Sequence, residues 1–393
     1  MPRKHLASLG APLPLARPQV RKEEGKELED YGAAGAAKQT AGGALRGEEI
    51  GYPVGARRSV ICCHSERDSM SRIGLIAALA LAAASATAAA EDWPTRPITM
   101  MVPFAAGGGS DLVGRMIAPR LGELLGQQVV IENLGGSGGM IGSYKVARSA
   151  PDGYQVGLAV TGTHAQNQSL YKKPLYDAAT DFAPVGLIAD ASYILITRPD
   201  FPAGNLQEFI AYAKANGAKM QFGSAGAGSG THITCLLLNS AIRVEVTHVP
   251  YRSTAQGMPD LLAGRIDYIC EPVQTALPLI EQKSVKALAT LTRDRSPVLP
   301  NLATAHEQGL TDFDGPIWFA LFLPKGTPDS IVRRLNRALS DTLDTDDVRR
   351  RLEATGLRIV PPERRSPEYL AQFVVSEIRK WAAPIKASGV SMD

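Results

Sequence analysis

The sequence predicts an α/β fold of two lobes, with mixed or parallel sheets flanked by helices and a helical C-terminal segment. Three observations support this fold class. Short β-branched runs alternate with longer segments of helical periodicity from residue 96 onward. This alternation occurs twice, on either side of a proline-containing break at residues 198–202. Beyond residue 328 the pattern is helical.

The first series has the order strand, helix, strand, helix, strand. Such an order implies a mostly parallel sheet with helices on both faces. Its predicted elements are strands 98–104, 129–132 and 154–160 and helices 112–124 and 141–148, with a turn at 151–153.

The second series follows a strand-like run at residues 193–197. Its predicted strands are 220–223, 244–249, 266–269 and 285–291, and its predicted helices are 206–216, 231–240, 258–263 and 277–281. The predicted lobes are therefore residues 91–197 plus 318–393 and residues 198–317.

The C-terminal segment begins after an extended run at residues 317–323. Thr327 is expected to cap a helix whose first turn holds Pro328, and Ser366 precedes another helix start. The arginines at 349–351 are expected to form a solvated helix face.

The first ninety residues differ from the rest of the chain. Residues 1–69 show no sustained apolar period, so we expect a disordered leader or a mis-assigned start upstream of Met70. Residues 70–90 have the anatomy of a secretory signal, with Arg72, a short apolar run and small residues up to a cleavage site after Ala90. A membrane anchor is the alternative, but the apolar run is shorter than the roughly 20 residues that span a bilayer. The expected location is the periplasm.

Charge and cysteine content exclude several classes of protein. Residues 1–90 hold 12 Lys+Arg against 9 Asp+Glu, and the remainder holds 30 of each. A neutral body argues against nucleic acid as a partner, because phosphate binding needs a basic face. Neither metal nor cofactor is expected, since no cysteine or histidine pair has metal-ligand spacing. We expect Cys235 and Cys270 to be two buried thiols, although an oxidising compartment would allow them to pair.

Two glycine-rich loops are the main candidates for a binding site. Residues 103–111 and 223–232 each follow a predicted strand and open a predicted helix. Glycines let the backbone approach a ligand, and a helix N-terminus adds partial positive charge, which together favour an anion. Facing loops in the two lobes would clamp an acid with two carboxylates. The alternative for the first loop is a flexible turn in which Asp111 is the N-cap.

Other polar residues are placed near these loops by the strand-end rule. Thr161, Thr163 and His164 follow strand 154–160, His232 lies at the start of a helix, and Glu271 follows strand 266–269. The histidines could instead satisfy backbone groups, and Glu271 could be an exposed loop carboxylate.

Residues 135–139 match G-x-S-x-G, the pattern of a nucleophile elbow. Ser137 would then be the nucleophile of a serine hydrolase. The pattern is weak, because four of its five residues are glycine and any flexible turn could satisfy it.

Taken together, these motifs resemble the tripartite tricarboxylate transporter substrate-binding proteins, the Bug family. The resemblance covers residues 93–393. It rests on Pro103-Phe-x-x-Gly-Gly-x-x-Asp111, Glu132-Asn133, residues 151–154, 223–226 and 248–251, and Trp318-Phe319 followed by residues 324–328. It implies a type II periplasmic-binding-protein fold (Venus flytrap) and a non-enzymatic receptor that passes a small carboxylate to membrane permease subunits.

The resemblance also implies a binding mode in which backbone N–H groups and water hold the carboxylates at 104–108 and 224–229. The expected ligand-binding residues are Phe104, Ala105, Ala106, Gly107, Gly108, Asp111, Thr161, Thr163, His164, Ser224, Ala225, Gly226, Gly228, Ser229, His232 and Glu271.

Three departures from the family pattern concern the ligand rather than the fold. Ala106 replaces a common proline, Leu134-Gly135 replaces a basic-Pro pair, and Glu271 lies in a segment that usually contains Asp. Glu271 would favour an amino or amide group over a plain triacid. The ligand is thus a di- or tricarboxylate, an aromatic acid or an acidic amino acid or amide, and a monomer is expected. A periplasmic sensor that signals rather than transports is the other receptor function.

Overall fold

The computed structural model describes residues 93–393, which form ten strands and ten α-helices. The leader predicted at residues 1–69 and the signal peptide predicted at residues 70–90 lie outside the described residues. Among the described helices, none is long and apolar enough to cross a membrane.

The first sheet is built on three parallel strands. β1 (Ile98–Val102) lies between β2 (Val129–Asn133) and β3 (Gln155–Val160) and pairs with both. β9 (Pro316–Pro324) is antiparallel to β3, and the first part of β4 (Phe182–Thr197) is antiparallel to β9. The parallel arrangement predicted for the first series is confirmed, and the two long strands make the sheet mixed.

The second sheet has the same design. β5 (Gln221–Ser224) lies between β6 (Thr247–Pro250) and β7 (Tyr268–Pro272) and is parallel to both. The last part of β4 pairs antiparallel with β7 and β8 (Lys286–Thr290).

Two of these strands lie further along the chain than predicted. β6 starts at Thr247 rather than at residue 244, because residues 243 and 244 still form the end of the preceding helix. Arg243 is its left-handed C-cap, and the Val244 N–H donates to the Asn239 carbonyl. β7 ends at Pro272 rather than at residue 269.

Strand β4 is shared by the two sheets. It pairs with β9 as far as Ser192 and with β7 from Tyr193 onward. The prediction of residues 193–197 alone was too short, because Pro184 and Gly186 obscure the strand pattern that precedes them. The pairing with β9 shifts register near these residues. We call the parts around the first and second sheets the first and second lobes. Their predicted residue bounds stay a prediction.

The helices cover the sheets and include the C-terminal segment that was predicted. They are α1 (Gly109–Leu125), α2 (Met140–Ala147), α3 (Asn167–Leu170), α4 (Leu206–Asn216), α5 (Gly230–Ile242), α6 (Thr254–Leu262), α7 (Val273–Glu281), α8 (Asp329–Asp344), α9 (Asp346–Ala354) and α10 (Pro367–Ala387). A two-residue strand, β10 (Arg358–Ile359), pairs with β4.

The predicted helix caps have mixed outcomes. Ser366 caps α10, where its hydroxyl accepts a hydrogen bond from the Tyr369 N–H. Thr327 does not cap α8, because its hydroxyl donates to the Pro324 carbonyl and the N-cap is Pro328. The arginines at 349–351 are exposed on α9, as predicted.

A disulfide joins Cys235 of α5 to Cys270 of β7, so the preferred prediction of two free thiols was wrong. The packing of α5 on β7 brings the two Cα atoms to 5.5 Å, within the usual range for a disulfide. Both residues are fully buried within the second lobe.

Replacement of both cysteines by alanine should lower the free energy of unfolding by about 2–4 kcal/mol, because the bond constrains the unfolded chain. Urea unfolding of the oxidised protein, the reduced protein and the Cys235→Ala/Cys270→Ala variant measures this. The variant should not respond to reductant. Equal midpoints for oxidised and reduced wild-type protein would show that the bond does not stabilise the fold.

Candidate functional site

A small cavity of about 40 Å³ lies between the two glycine-rich loops. Its walls come from both lobes. They are Phe104, Gly108, Gly109, Ser110, Val160, Tyr193, Ala225, Ser229, Gly230, Thr231, Ser253, Thr254, Pro272 and Ile317. None of these residues has a charged side chain.

The first loop brings the start of α1 to the cavity. Gly108 is the N-cap and supplies no capping side chain, so the first-turn N–H groups of Gly109 and Ser110 have no side-chain cap. Both residues line the cavity. Because α1 is 17 residues long, its aligned peptide dipoles place partial positive charge at this end.

Asp111 holds this loop in shape and does not line the cavity. Its carboxylate accepts hydrogen bonds from the Gly107 N–H at 2.9 Å, Arg115 at 2.9 Å and Asn133 at 3.0 Å. Asn133 also donates to the Phe104 carbonyl. Burial raises the pKa of Asp111, but these hydrogen bonds outweigh it, so the pKa lies below its usual value. Asp111 is not the N-cap; its carboxylate orders the loop from inside.

The second loop brings the start of α5 to the same cavity. Ser229 is the N-cap, and its hydroxyl accepts from the His232 N–H. The Thr231 hydroxyl lies 3.0 Å from Ser229 Oγ and accepts from the Ala225 N–H at 2.9 Å. Gly230 follows the N-cap directly and lines the cavity. The loop therefore satisfies much of its own backbone and still presents the beginning of a helix to the cavity.

Two helix N-termini thus converge on a cavity without charged walls. Backbone dipoles and hydroxyl groups can stabilise an anion there without a lysine or arginine. Within residues 93–393 no cluster of metal-ligating side chains occurs.

The structure brings only part of the predicted set to the cavity wall. Phe104, Gly108, Ala225 and Ser229 line it. The other predicted loop residues lie beside the cavity or beneath the loops.

A wider cleft of about 810 Å³ is lined in part by Ala105, Ala225 and Gly226. Ala106 and Gly107 are exposed. Ser224 is buried under the second loop, with its hydroxyl 2.6 Å from His248 Nε2.

Gly228 packs against Tyr171 of the first lobe instead of lining the cavity. A β-carbon at this left-handed residue would lie 2.7 Å from the tyrosine hydroxyl. The absence of a side chain at Gly228 therefore allows the second loop to pack against the first lobe.

The histidine and threonine side chains predicted as ligands make their contacts inside the fold, and their ligand role stays a prediction. His164 stacks on Phe322 at 4.5 Å, and burial lowers its pKa to about 3. Thr163 bonds to the Val160 backbone and to His164, and Thr161 accepts from the Trp318 N–H.

His232 also has a structural role. Its Nδ1 accepts from the Gly228 N–H, and its ring stacks on His248 at 4.0 Å. Burial and the neighbouring His248 lower its pKa to about 3. It organises the second loop from behind.

Glu271 lies behind the cavity wall rather than on an exposed loop. It is 1% exposed, and its Oε1 accepts from Thr254 at 2.8 Å and from Thr275. Burial raises its pKa to about 7, although the two threonine hydrogen bonds act in the opposite direction.

Several wall residues were missed by sequence reasoning, including Tyr193, Ser253, Thr254 and Pro272. Pro272 ends β7, and Tyr193 is the point where β4 changes partner sheet. The strand-end rule would have found Pro272 if β7 had been predicted to its full length.

The hydrolase alternative finds no catalytic arrangement in the described residues. Ser137 adopts a left-handed φ of 46°, and none of the hydrogen bonds described for the four histidines at 164, 232, 248 and 306 involves it. An acyl-transfer serine needs a base within hydrogen-bond reach.

Burial raises the pKa of Glu271 in the folded protein, so folding favours the protonated carboxyl. The contribution of Glu271 to the free energy of unfolding is therefore fully present below about pH 4.5 and is lost as the pH rises through about 7. Glu271→Gln should therefore be increasingly stabilising relative to wild type across this window, by on the order of 3 kcal/mol at pH 8. Chemical unfolding at pH 4.5 and 8 measures the difference. Glu281→Gln, at an exposed position of α7, controls for the lost charge. A constant Glu271→Gln effect would contradict this account.

Residues 113–390 match the family described as the tripartite tricarboxylate transporter family receptor. The protein BugT of Bordetella pertussis is 32% identical over 80% of this chain and 96% of its own length. MatC of Rhodopseudomonas palustris, solved with bound malate, is 38% identical, has a TM-score of 0.73, and matches 75% of this chain and 100% of its own. Rpa4515 of R. palustris, solved with adipate, is 34% identical, has a TM-score of 0.72, and matches 76% of this chain and 99% of its own. The chain belongs to the tripartite tricarboxylate transporter receptor family, a family of solute receptors with the two-lobed periplasmic-binding-protein fold.

Proposed function

We propose that this protein is a periplasmic receptor that binds a small organic carboxylate between its lobes and delivers it to the membrane subunits of a tripartite tricarboxylate transporter. The observation that carries the proposal is the convergence of two helix N-termini, at Gly109 and Gly230, on one cavity without charged walls. The malate and adipate bound by the two R. palustris relatives support a carboxylate as the ligand class.

The proposed binding mode uses backbone N–H groups in place of cationic side chains. One carboxylate would lie against the first turn of α1 and the N-terminal turn of α5, within reach of the hydroxyls of Ser110 and Thr231. Hydrogen bonds from several oriented N–H groups stabilise an anion in a site of low dielectric, and they need no rearrangement when the ligand arrives. This binding mode would allow the protein to bind an anion although residues 91–393 contain equal numbers of acidic and basic residues.

Ligand entry requires the lobes to separate. The cavity, at about 40 Å³, has room for only a few water molecules and is too small for a dicarboxylate. The lobes meet across a seam in which the Ala105 N–H donates to the Arg252 carbonyl at 3.4 Å. We place the hinge in the two crossings between lobes, taken as residues 91–197 plus 318–393 and residues 198–317. In this proposal the described structure is the closed state of the cycle.

The delivery step and the location rest on family membership and on the signal predicted at residues 70–90. A receptor of this kind requires export before it can meet a ligand or a permease. No observation favours signalling over transport, so transport is the function proposed.

Gly230→Ala should weaken carboxylate binding by at least tenfold, about 1.4 kcal/mol. The added β-carbon would lie 2.3 Å from the Tyr193 hydroxyl and narrow the start of α5. Calorimetry against di- and tricarboxylates, nicotinate-like acids and acidic amino acids measures this. Gly204→Ala is the matched control, since its β-carbon would meet only Glu208, at 3.5 Å.

A wild-type protein that binds none of these acids would overturn the carboxylate proposal. Unchanged affinity in a folded Gly230→Ala variant would instead move the ligand away from α5.

A further inference from the structure

Three buried polar side chains of the second lobe lack hydrogen-bond partners for at least one atom within the described residues. They are Ser253, through its Oγ; Gln274, through both Oε1 and Nε2; and Glu271, through Oε2. Each side chain is at most 2% exposed. A buried polar group without a partner costs about 1–3 kcal/mol, so three such groups in one neighbourhood call for a physical explanation.

Two of them, Ser253 and Gln274, lie beside the start of α1, where the two lobes meet. The β-carbon of Ser253 would be 3.6 Å from a β-carbon placed on Gly108, and Ser253 lines the cavity. Gln274 Nε2 would be 2.7 Å from a β-carbon placed on Gly109. The missing side chain at Gly109 is therefore what allows the amide to reach the first turn of α1.

Glu271 joins this group through Thr254. The Thr254 hydroxyl lines the second-lobe wall and donates to Glu271 Oε1, which leaves Oε2 without a partner. The unpartnered atoms of Gln274 are a hydrogen-bond donor, Nε2, and an acceptor, Oε1. The Ser253 hydroxyl can donate and accept, and the fourth atom is the carboxyl oxygen Oε2 of Glu271.

We propose that Ser253 and Gln274 form a specificity subsite for an uncharged group on the ligand that both donates and accepts hydrogen bonds, namely a hydroxyl or a primary carboxamide. This inference rests on the proposed function, because it assigns the second polar group of the carboxylate ligand.

The chemistry of the subsite separates this class from its rivals. A second carboxylate only accepts, so it would leave Gln274 Oε1 unpaired and would bring a negative charge towards the Glu271 carboxyl. An ammonium group only donates, so it would leave Gln274 Nε2 unpaired. A hydroxyl or carboxamide can pair with both ends of the Gln274 amide.

The test compares ligands that differ only in this group. Calorimetry on the purified wild-type protein would use succinate, both enantiomers of malate, and succinamate. We expect malate or succinamate to bind at least about tenfold more tightly than succinate, since an unpaired buried amide disfavours the plain diacid.

Ser253→Ala and Gln274→Met should each reduce this preference to within about threefold, mainly by weakening the favoured ligand. Gln282→Met, at an exposed position just after α7, is the matched control and should keep the wild-type preference. Circular dichroism and thermal unfolding check that each variant is folded. If Gln274→Met does not fold, Ser253→Ala, the milder change, still tests the subsite.

The outcomes are distinguishable. A wild-type protein that binds succinate as tightly as malate and succinamate, or folded variants that keep the preference, would overturn the subsite while the carboxylate receptor stands. A wild-type protein that binds none of these acids would overturn both proposals.

Discussion

One electrostatic constraint follows from the proposed function: an anion must be held in a cavity whose walls carry no cationic side chain. Two helix N-termini meet this constraint only when both point into the same space. Each helix start must also lack a side chain where the rest of the structure approaches it, and this accounts for Gly109 in one loop and Gly230 in the other. The buried polar residues behind the loops, such as Asp111 and His232, keep the N–H groups in position.

The two connections between the lobes pass beside the site. β4 belongs to both sheets, and Tyr193, where its partner changes, is part of the cavity wall. Ile317 of β9, the strand that returns the chain to the first sheet, lines the same cavity. In the proposed hinge motion, rotation about these crossings would move the two helix starts apart. The disulfide between α5 and β7 lies within one lobe and so does not restrict that rotation.

The fold class and the two loops could be predicted because they depend on local patterns, namely alternating apolar periods and glycines at helix starts. The side chains that complete the site could not. Thr161, Thr163 and His164 follow β3 as a strand-end rule requires, yet an unusual π-helical turn at Gly162–Gln166 directs them into the core. Ser253 and Gln274 carry no motif, and they are brought to α1 only by contact between the lobes. Pairing of Cys235 with Cys270 likewise depends on the packing of α5 on β7, which no spacing in the chain reveals.

The most direct test of the account is an amide NMR titration of the ¹⁵N-labelled protein with malate. A hydrogen bond from a backbone N–H to a carboxylate shifts that amide proton downfield. The account predicts saturable downfield shifts of the Gly109, Ser110, Gly230 and Thr231 amides, in both lobes and with one common affinity. Saturable binding whose largest shifts fall elsewhere, with these four amides unchanged, would contradict the claim that the helix starts hold the ligand.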